Sequence, residues 1–513
     1  MSEGLAPPPP LAWRPLLALA IVLLVAECAV LRQYGWFRDE FYYLACADHP
    51  AMGYVDEPPL SIWLLTAWRA LFGESLAALR LLPALVGAVS VFLTGVLARS
   101  FGGGRGAQVL AALAALTAPT LLGTFHYVSM NSFDLLLWLL AFLAFARAIR
   151  TRMTRDWLVL GLVIGLGLLD KISVLWLLAG IGAGLLLSGH RRELARPGPW
   201  LAGGIALLVF SPYLVWEVAH RWPTLEFMRN ATGRKMVTTG AVTFWAQQAL
   251  SMNPGTLLVW LPGLAWLLFA RAGRTWRPFG IAFVVAAIIL MAGGRSRPSY
   301  LAPAYFALFA AGGVALESWL AGGRRAWARG AVAALMIAIG VLISPFALPF
   351  LPVERFIGYA RAAGVGPRAE ERLALGPLPQ GYADMFGWTE LTDEVARAWT
   401  SLTPEEREHA AIFGQNYGEA GAVAVLGRSR GLRPVLSGHN NYWLWGPPDR
   451  EIRVLVIIGS NAHDNGEFFE HVVQVGTADN PYAMPYERHL PVWIGRGPRV
   501  DLRQAWGRLK LYI

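Results

Sequence analysis

Charged residues are scarce in this chain, and their scarcity excludes an ordinary soluble protein. Of 513 residues, only 15% are charged, whereas 55% are hydrophobic. Soluble globular domains carry about 25% charged residues, so most of this chain is expected to lie in lipid. The net charge of +10 comes mostly from arginine. In a membrane protein such an excess is first a signal of topology rather than of nucleic-acid binding.

Cysteine is also rare, which excludes a scaffold built on several disulfides. Only Cys28 and Cys46 occur, so a single disulfide can form at most, and nothing in the sequence supports it. No Cys/His spacing typical of a metal site is present. The first apolar run, from about Leu16 to Leu31, lacks a cleavage site with small residues, so we interpret it as a retained span and not as a signal peptide.

Long apolar runs recur through the first two-thirds of the chain and predict a polytopic α-helical membrane domain. A span needs roughly 20 residues, and about eleven runs approach that length. They lie at 14–31, 77–98, 107–124, 133–149, 157–170, 172–189, 199–218, 250–270, 279–293, 299–320 and 330–351.

Arginine clusters between these runs predict the topology. With the N-terminus inside, every cluster lies on the cytoplasmic side, as the positive-inside rule requires. The clusters are Arg99/Arg105, Arg147/Arg150/Arg152/Arg155, Arg191/Arg192/Arg196, Arg271/Arg274/Arg277 and Arg324/Arg325/Arg329. The same alternation of inner and outer loops predicts that the first loop, 32–76, and everything after residue 351 lie outside the cytoplasm.

The composition changes after about residue 351, which predicts two domains, 1–351 and 352–513. Charged residues, Gly and Pro increase, and short β-type runs alternate with helical segments. Such alternation indicates a small α/β domain. The β-type runs are 410–416, 452–459, 471–477 and 491–495.

Two acidic pairs, Asp39-Glu40 and Asp56-Glu57, lie among aromatic residues in the first outer loop. Carboxylates at the edge of the hydrocarbon layer are costly and usually serve chemistry or ion handling; the alternative is a solvated loop. A partly desolvated carboxylate can accept a proton from an attacking hydroxyl. Asp134, at the top of the fourth span, is either functional or a helix-start acid that favours the positive dipole end.

A few cations also lie on the predicted outer face, against the positive-inside trend. They are Lys171, Arg295 and Arg297, with Tyr300 close to the arginines in sequence. Arg and Lys bind phosphate through charge-assisted hydrogen bonds. The alternatives are a salt bridge between Lys171 and Asp170 and contact of the arginines with lipid headgroups. Acids that accept a proton and cations that hold a phosphate, at one membrane face, indicate a transferase for a lipid-phosphate-linked group.

These motifs resemble bacterial glycosyltransferase family 39, which is related to protein O-mannosyltransferases and to the aminoarabinose transferase of lipid A in the GT-C superfamily. The resemblance begins in the first loop and extends through nearly the whole chain. It rests on FRDEFYYLACADHPAMGYVDEPPL, SMNSFDLLLWLLAFLAFARAI, GLGLLDKISVLWL, SRPSYLAPAYFALFAAGGVALE, YADMFGW, NYGEAGA and SGHNNYWLWGP. It implies a GT-C membrane domain of about eleven helices, followed by an extracytoplasmic α/β domain, in a bacterial cytoplasmic membrane.

The resemblance also implies an inverting transfer of a sugar from a polyprenyl-phosphate donor to a lipid, glycan or protein on the outer face. Asp39 matches the aspartate that acts as general base, and we expect Glu40 and Asp134 to join it in catalysis. Asp56 precedes PPL as an acid does in relatives, but Glu57 stands where some relatives carry a phosphate-binding lysine.

The donor phosphate is expected at Lys171 and Tyr300, with Arg295 or Arg297 in a basic position that relatives often fill with lysine. We predict that the remaining candidates contact substrate; they are Tyr54, Asp56, Glu57 and His126. Some superfamily members bind a divalent metal, but neither His126 nor His220 stands at a spacing that requires one.

Three other functions stay open, two of them outside the enzymes. A flippase or transporter of lipid-linked sugars would keep ionisable residues near the membrane midplane, in paired broken helices, whereas here they gather at one face. A non-catalytic envelope assembly protein would only bind the lipid, and a polymerase or ligase would join preassembled glycans.

Overall fold

A computed structural model describes residues 7–320, 326–367 and 371–513. Its first part is a bundle of helices, consistent with the apolar runs of the sequence. The helices are α1 (Trp13–Cys28), α2 (Arg38–Asp48), α3 (Leu60–Phe72), α4 (Leu76–Ser100), α5 (Arg105–Leu116), α6 (Pro119–Thr124), α7 (Met130–Thr151), α8 (Thr154–Asp170), α9 (Val174–Leu187), α10 (Pro197–Ala219), α11 (Pro223–Asn230), α12 (Ala241–Ser251), α13 (Leu257–Phe269), α14 (Arg277–Gly293), α15 (Tyr305–Trp319) and α16 (Ala326–Ile343).

The chain is a multi-pass membrane protein, but the expected count of about eleven spans is not confirmed. Each predicted apolar run contains a helix. Within the described residues, six helices are long and apolar enough to cross a membrane, or seven if the pair α12 and α13, bent by 98°, forms one span. The run 107–124 is divided into α5 and α6, because Pro119 begins a new helix and lacks the N–H needed to continue one. Arg324 and Arg325 of the last cluster lie outside the described residues.

Small residues allow the membrane helices to pack closely. A Cβ added at Gly312 of α15 would lie 2.0 Å from the Val259 carbonyl oxygen of α13. A Cβ at Gly263 of α13 would lie 2.2 Å from the Leu308 carbonyl oxygen. In lipid, where apolar surface gains little from burial between helices, such close backbone approach supplies packing energy.

The C-terminal part combines a mixed sheet with helices, as predicted. Its helices are α17 (Val353–Ala362), α18 (Gln380–Ala383), α19 (Trp388–Thr400), α20 (Pro404–Glu408), α21 (Tyr417–Leu426), α22 (Asn441–Trp445), α23 (Ala462–Phe468) and α24 (Leu502–Ala505). The strands are β1 (Ala410–Gly414), β2 (Val435–Ser437), β3 (Val454–Ile458), β4 (Phe469–Ala478) and β5 (Leu490–Pro498).

The sheet has the order β2-β1-β3-β5-β4. The pairs β1/β2 and β1/β3 are parallel, whereas β3/β5 and β4/β5 are antiparallel. The four predicted strands are confirmed. The strand β2 is an addition to the prediction, because its three residues are too few to show a β periodicity.

The C-terminal part contacts the loop of residues 32–76 through two helices, α21 and α2. A Cβ added at Gly418 of α21 would lie 2.6 Å from Arg38 Cγ, and one at Gly421 would lie 2.8 Å from Phe41 Cβ. Phe41 is fully buried and packs against the core between sheet and helices. The glycines therefore bring one face of α21 directly onto the helix that carries the first acidic pair.

We expect Gly421→Ala to lower the thermal stability of the detergent-solubilised protein, measured as Tm. The added methyl group enters the contact with Phe41, and overpacking of this kind costs about 1–3 kcal/mol. The matched control is Gly466→Ala in α23, where an added Cβ meets nothing within 4 Å and alanine favours the helix. Equal Tm values for both variants would contradict close packing of α21 on α2.

Candidate active site

Asp39, the first acid of the loop 32–76, lies in the first turn of α2 and is partly open to solvent. Its side chain is 33% exposed. Tyr417 Oη, from α21, donates to Asp39 Oδ1 at 2.8 Å, and Arg38 Nε lies 3.4 Å from the same oxygen. Among the described residues, both of these contacts use Oδ1, and the side chain is partly exposed. A general base needs an oxygen that the hydroxyl can approach in this way.

Glu40, the next residue, has a different environment. It is 1% exposed and accepts two hydrogen bonds from Arg80, one from Nε to Oε1 at 3.0 Å and one from Nη2 to Oε2 at 2.9 Å. The Phe37 amide also donates to Glu40 Oε2 at 2.9 Å, which satisfies a free N–H at the start of α2. The geometry thus gives Glu40 contacts that fix the helix rather than access to substrate.

Arg80 extends this network to the loop before α2. It lies in α4 with no exposed surface. Its guanidinium also donates to the carbonyl oxygens of Leu31 at 3.1 Å and Gly35 at 2.6 Å. A planar fork of five donors suits such a set of acceptors, so Arg80 holds both the loop and the helix that present Asp39.

The second acidic pair lies beside Tyr42, one turn along α2 from Asp39. Asp56 Oδ1 accepts from Tyr42 Oη at 2.6 Å, and Asp56 Oδ2 accepts from Asn440 Nδ2 at 3.3 Å. Burial raises the pKa of Asp56, although the Tyr42 hydroxyl opposes the shift. Glu57 is fully buried, and burial together with the nearby Asp56 charge raises its pKa well above the ordinary range. Tyr54 is buried too, and its hydroxyl accepts from the Ala51 amide at 3.1 Å, which closes the loop.

The predicted phosphate site is built on Lys171, the residue that follows α8. Its Nζ donates to Asn131 Oδ1 at 2.6 Å and lies 3.4 Å from Asp134 Oδ2. The ammonium group also lies 4.9 Å from the centroid of the Tyr300 ring. Ser173 Oγ donates to Asp134 at 3.1 Å, so this buried acid is paired and serves to hold the lysine.

These residues line a cavity of about 850 Å³ between the helical bundle and the segment that follows it. One wall is polar and includes Asn131, Asp134, Lys171, Arg297 and Tyr300. The remainder is mostly apolar, with side chains from α6, α7, α16 and α17 and from the chain just after α16 and around α18. These include Pro119, Leu135, Ile343, Phe346, Phe356, Tyr382 and Met385. A cation at one wall of an apolar cavity suits an amphiphile with an anionic head.

The two predicted arginines differ in position. Arg297 lines the cavity, is 25% exposed and pairs with Glu371. Lys235, which the sequence analysis did not single out, lies 3.4 Å from the same carboxylate. Burial lowers the pKa of Lys235, and the Glu371 charge opposes that shift. Arg295 is exposed, with one contact to the Thr232 carbonyl oxygen at 3.4 Å, and it is not part of the cavity wall.

His126 borders the cavity but is buried within a polar pair. Its Nδ1 lies 3.2 Å from Glu27 Oε2, and its Nε2 lies 3.5 Å from Arg80 Nη1. In the described residues, no group of three or more His, Cys, Asp or Glu side chains could hold a metal ion. His220 Nδ1 lies 2.8 Å from the Trp216 carbonyl oxygen. The residues present therefore do not fit a metal site, and no step is assigned to a metal.

Apart from Arg295, which is exposed and outside the cavity wall, the structure divides the predicted residues into three groups. The first group lines the cavity and consists of Asp134, Lys171, Arg297, Tyr300 and His126. The second group lies outside it: Asp39 contacts Tyr417 of α21, and Asp56 contacts Asn440, which precedes α22. Glu40, Glu57 and Tyr54 are buried supports.

Sequence reasoning missed Arg80, Lys235, Glu371, Arg38 and Tyr417. A signal was present for Arg80, a charged residue inside an apolar run, since such residues are rarely without a role.

The architecture is that of a polytopic membrane protein with an appended α/β part, and solved structures share it. ArnT from Cupriavidus metallidurans bound to undecaprenyl phosphate superposes with a TM-score of 0.61 and 16% identity, covering 93% of this chain and 97% of that chain. The arabinofuranosyltransferase AftD from Mycobacteria gives a TM-score of 0.53 and 14% identity, covering 95% of this chain and 40% of that chain. At these identities the likeness establishes the fold.

Sequence comparison confirms the resemblance as well. Residues 56–216 match the family of dolichyl-phosphate-mannose-protein mannosyltransferases. The lipopolysaccharide core galacturonosyltransferase RgtB of Rhizobium johnstonii is 27% identical over 241 residues, which are 45% of each chain. The undecaprenyl phosphate-alpha-4-amino-4-deoxy-L-arabinose arabinosyl transferase 2 of Pseudomonas fluorescens is 26% identical over 263 residues, covering 49% of this chain and 45% of that protein. The alignment thus spans less than half the length of these relatives.

We expect Arg80→Met to destabilise the protein strongly. It leaves the Glu40 carboxylate buried without its cation, and breaking a buried ion pair in this way costs about 3–5 kcal/mol. Thermal unfolding in detergent measures the effect. The double variant Arg80→Met/Glu40→Gln should recover part of the loss, because no buried charge then lacks a partner. Arg430→Met, which breaks the exposed pair with Asp393, should change Tm little; an Arg80→Met variant as stable as that control would contradict the assignment.

Proposed function

We propose that the protein is a membrane glycosyltransferase that transfers a sugar from a polyprenyl-phosphate donor to a lipid, glycan or protein acceptor. The observation that carries the proposal is the Lys171 ammonium, held at the wall of the apolar cavity by Asn131 and Asp134. The names of the matched relatives support it, because they describe sugar transferases and, in one case, an undecaprenyl-phosphate-linked sugar.

The donor is proposed to lie with its phosphate at Lys171 and its prenyl chain along the apolar cavity wall. A lysine that already pairs with a carboxylate retains donors for a phosphate, since an ammonium group has three. Asp134 and Asn131 fix its position, and Tyr300 covers it at 4.9 Å. Arg297 lines the same cavity. It is proposed as a second cation that binds the single phosphate of the donor. Arg295 is given no role in donor binding.

Asp39 is proposed as the general base. In a single displacement, the acceptor hydroxyl gives its proton to Asp39 while its oxygen forms a bond to the anomeric carbon on the face opposite the phosphate. The bond from that carbon to the phosphate oxygen breaks, and the electron pair leaves with the polyprenyl phosphate. Lys171 stabilises the charge that develops on the departing phosphate, and the configuration at the anomeric carbon inverts.

Asp39 does not line the Lys171 cavity, but a chain of contacts joins the two places. Arg38 Nη1 lies 3.6 Å from Asp384 Oδ1, and the next residue, Met385, is part of the cavity wall. On the other side, Glu371 pairs with both Lys235 and Arg297. The sugar is proposed to lie between the phosphate at Lys171 and the carboxylate of Asp39, next to these cations.

The site is proposed to lie at the outer face of a bacterial cytoplasmic membrane, with residues 352–513 as an extracytoplasmic domain. The arginine clusters support this orientation through the positive-inside rule. Asp56 is proposed as a substrate contact, since it is only partly buried, whereas Glu40, Glu57 and Tyr54 are proposed to support the loop. The acceptor is a hydroxyl-bearing molecule whose class the site does not restrict.

We expect Asp39→Asn to reduce donor consumption by roughly 10²- to 10⁴-fold, the range that a general base contributes. The measurement uses the purified protein with radiolabelled undecaprenyl-phosphate pentoses and hexoses and a bacterial membrane lipid extract as acceptor. The nearby Asp48→Asn variant, which alters a surface pair with Arg69, is the control. Equal turnover by the wild type and Asp39→Asn would rule out Asp39 as the base, and binding without any turnover would favour a transporter or an assembly protein.

We expect Lys171→Ala to raise the KM for the donor at least tenfold, because a charge-assisted hydrogen bond to phosphate contributes about 1.5–3 kcal/mol. The KM for the acceptor should change much less. Lys510→Ala, which removes a lysine paired with Glu226, is the matched control. An unchanged donor KM in Lys171→Ala would remove this lysine from the phosphate site.

A further inference from the structure

The carboxylate proposed as the base is contacted by a residue nearly 400 positions away in the chain, Tyr417. Its hydroxyl donates to Asp39 Oδ1 at 2.8 Å, and the two residues are separated by 378 positions. We infer that Tyr417 is a positioning residue, which holds Asp39 so that the other carboxylate oxygen, Oδ2, faces the acceptor hydroxyl. The inference rests on the proposed function and names a part of the site that the C-terminal domain supplies.

The position of the Tyr417 ring is fixed by contacts on several sides. The residue is 7% exposed, and its ring centroid lies 4.8 Å from that of Tyr42. Arg38 covers the ring, with its guanidinium carbon 5.4 Å from the centroid. The Tyr417 amide also lies 3.4 Å from His439 Nδ1. A ring packed in this way presents its hydroxyl in one direction.

The helix that carries Tyr417 is held at short range by its glycines. Tyr417 is the first residue of α21, and Asn416 caps that helix by accepting from the amides of Gly418 and Glu419. The faces of Gly418 and Gly421 lie against Arg38 and Phe41. Any side chain at these positions would push α21 away from α2, and the Tyr417 hydroxyl with it.

Arg38 completes the arrangement from the side of α2. It is 9% exposed, donates from Nη1 to Tyr486 Oη at 2.7 Å and pairs with Asp384 at 3.6 Å. Tyr486 and Asp384 thus hold the guanidinium while Nε reaches Asp39 Oδ1 at 3.4 Å. Two fixed donors on the same carboxylate oxygen restrict rotation of the carboxylate about its bond to Cβ.

This restriction has a consequence for the transfer step. The acceptor proton passes to Oδ2 as the acceptor oxygen bonds to the anomeric carbon, and the phosphate departs with the electron pair. The Tyr417 proton stays on its own oxygen throughout. Because the base must be in line with the hydroxyl it activates, and misplacement by about 1 Å can cost roughly 100-fold, loss of the Tyr417 hydroxyl slows the step without weakening donor binding.

The test is Tyr417→Phe, which keeps the ring and its packing and removes only the hydroxyl. We expect kcat for donor consumption to fall about ten- to a hundredfold, with donor KM within about twofold of the wild type. The matched control is Tyr442→Phe in the same domain, since Tyr442 is buried and its hydroxyl has no hydrogen-bond partner within the described ranges. That control should keep the kcat of the wild type.

A second measurement does not depend on turnover. The rate at which a water-soluble carbodiimide modifies Asp39, followed by peptide mass spectrometry, should rise severalfold in Tyr417→Phe and stay unchanged in Tyr442→Phe. The rise is expected because the Asp39 carboxylate loses the hydrogen bond from the Tyr417 hydroxyl and becomes more accessible to the reagent.

The outcomes separate the inference from the proposed function. If the wild type consumes the donor and Tyr417→Phe keeps its kcat, or changes only donor KM, the inference is wrong and the function stands. An unchanged modification rate would also overturn it. If the wild type consumes no polyprenyl-phosphate sugar, the function fails, and the positioning role of Tyr417 in the transfer fails with it.

Discussion

The ion pair between Arg80 and Glu40 is the interaction on which the rest of the site depends. Both side chains are almost completely buried, at 0% and 1% exposure, in a part of the chain where an unpaired charge would cost several kcal/mol. The pair is stable because Arg80 finds further acceptors in the loop carbonyls and Glu40 accepts from the first turn of α2. It therefore ties a membrane helix, α4, to the helix that carries Asp39. The resulting surface of α2 is what the C-terminal domain packs against.

The fold was largely predictable because its two parts carry different periodicities. Long apolar runs marked the membrane helices, and short β-rich runs between helical segments marked the C-terminal sheet. The number of spans was not predictable, since composition alone does not separate a helix that crosses the membrane from one that ends inside the bundle. The run at 107–124 shows the difficulty, because Pro119 begins a separate helix within it.

The site was predictable where a charged residue lies next to or inside an apolar run of the sequence. Lys171 between two apolar runs and Asp134 at the start of another were identified in this way, and the structure brings them within 3.4 Å. Tyr417, Lys235 and Glu371 could not be identified, since each is an ordinary residue for its own segment. Their contacts join segments far apart in the chain, as in the pair of Lys235 with Glu371, and only the tertiary structure brings such segments together.

The adjacent acids Asp39 and Glu40 illustrate why a motif predicts a site better than it predicts roles. Successive side chains on an α-helix point about 100° apart, so two neighbouring residues at the start of α2 cannot face the same space. One of them, Glu40, faces the bundle and Arg80, and the other faces Tyr417 and solvent. The longer acid reaches the guanidinium in α4, while the shorter one stays close to its own backbone, where neighbouring groups can fix it. The contacts of the two acids therefore favour a division between support by Glu40 and chemistry at Asp39 over a shared role in catalysis.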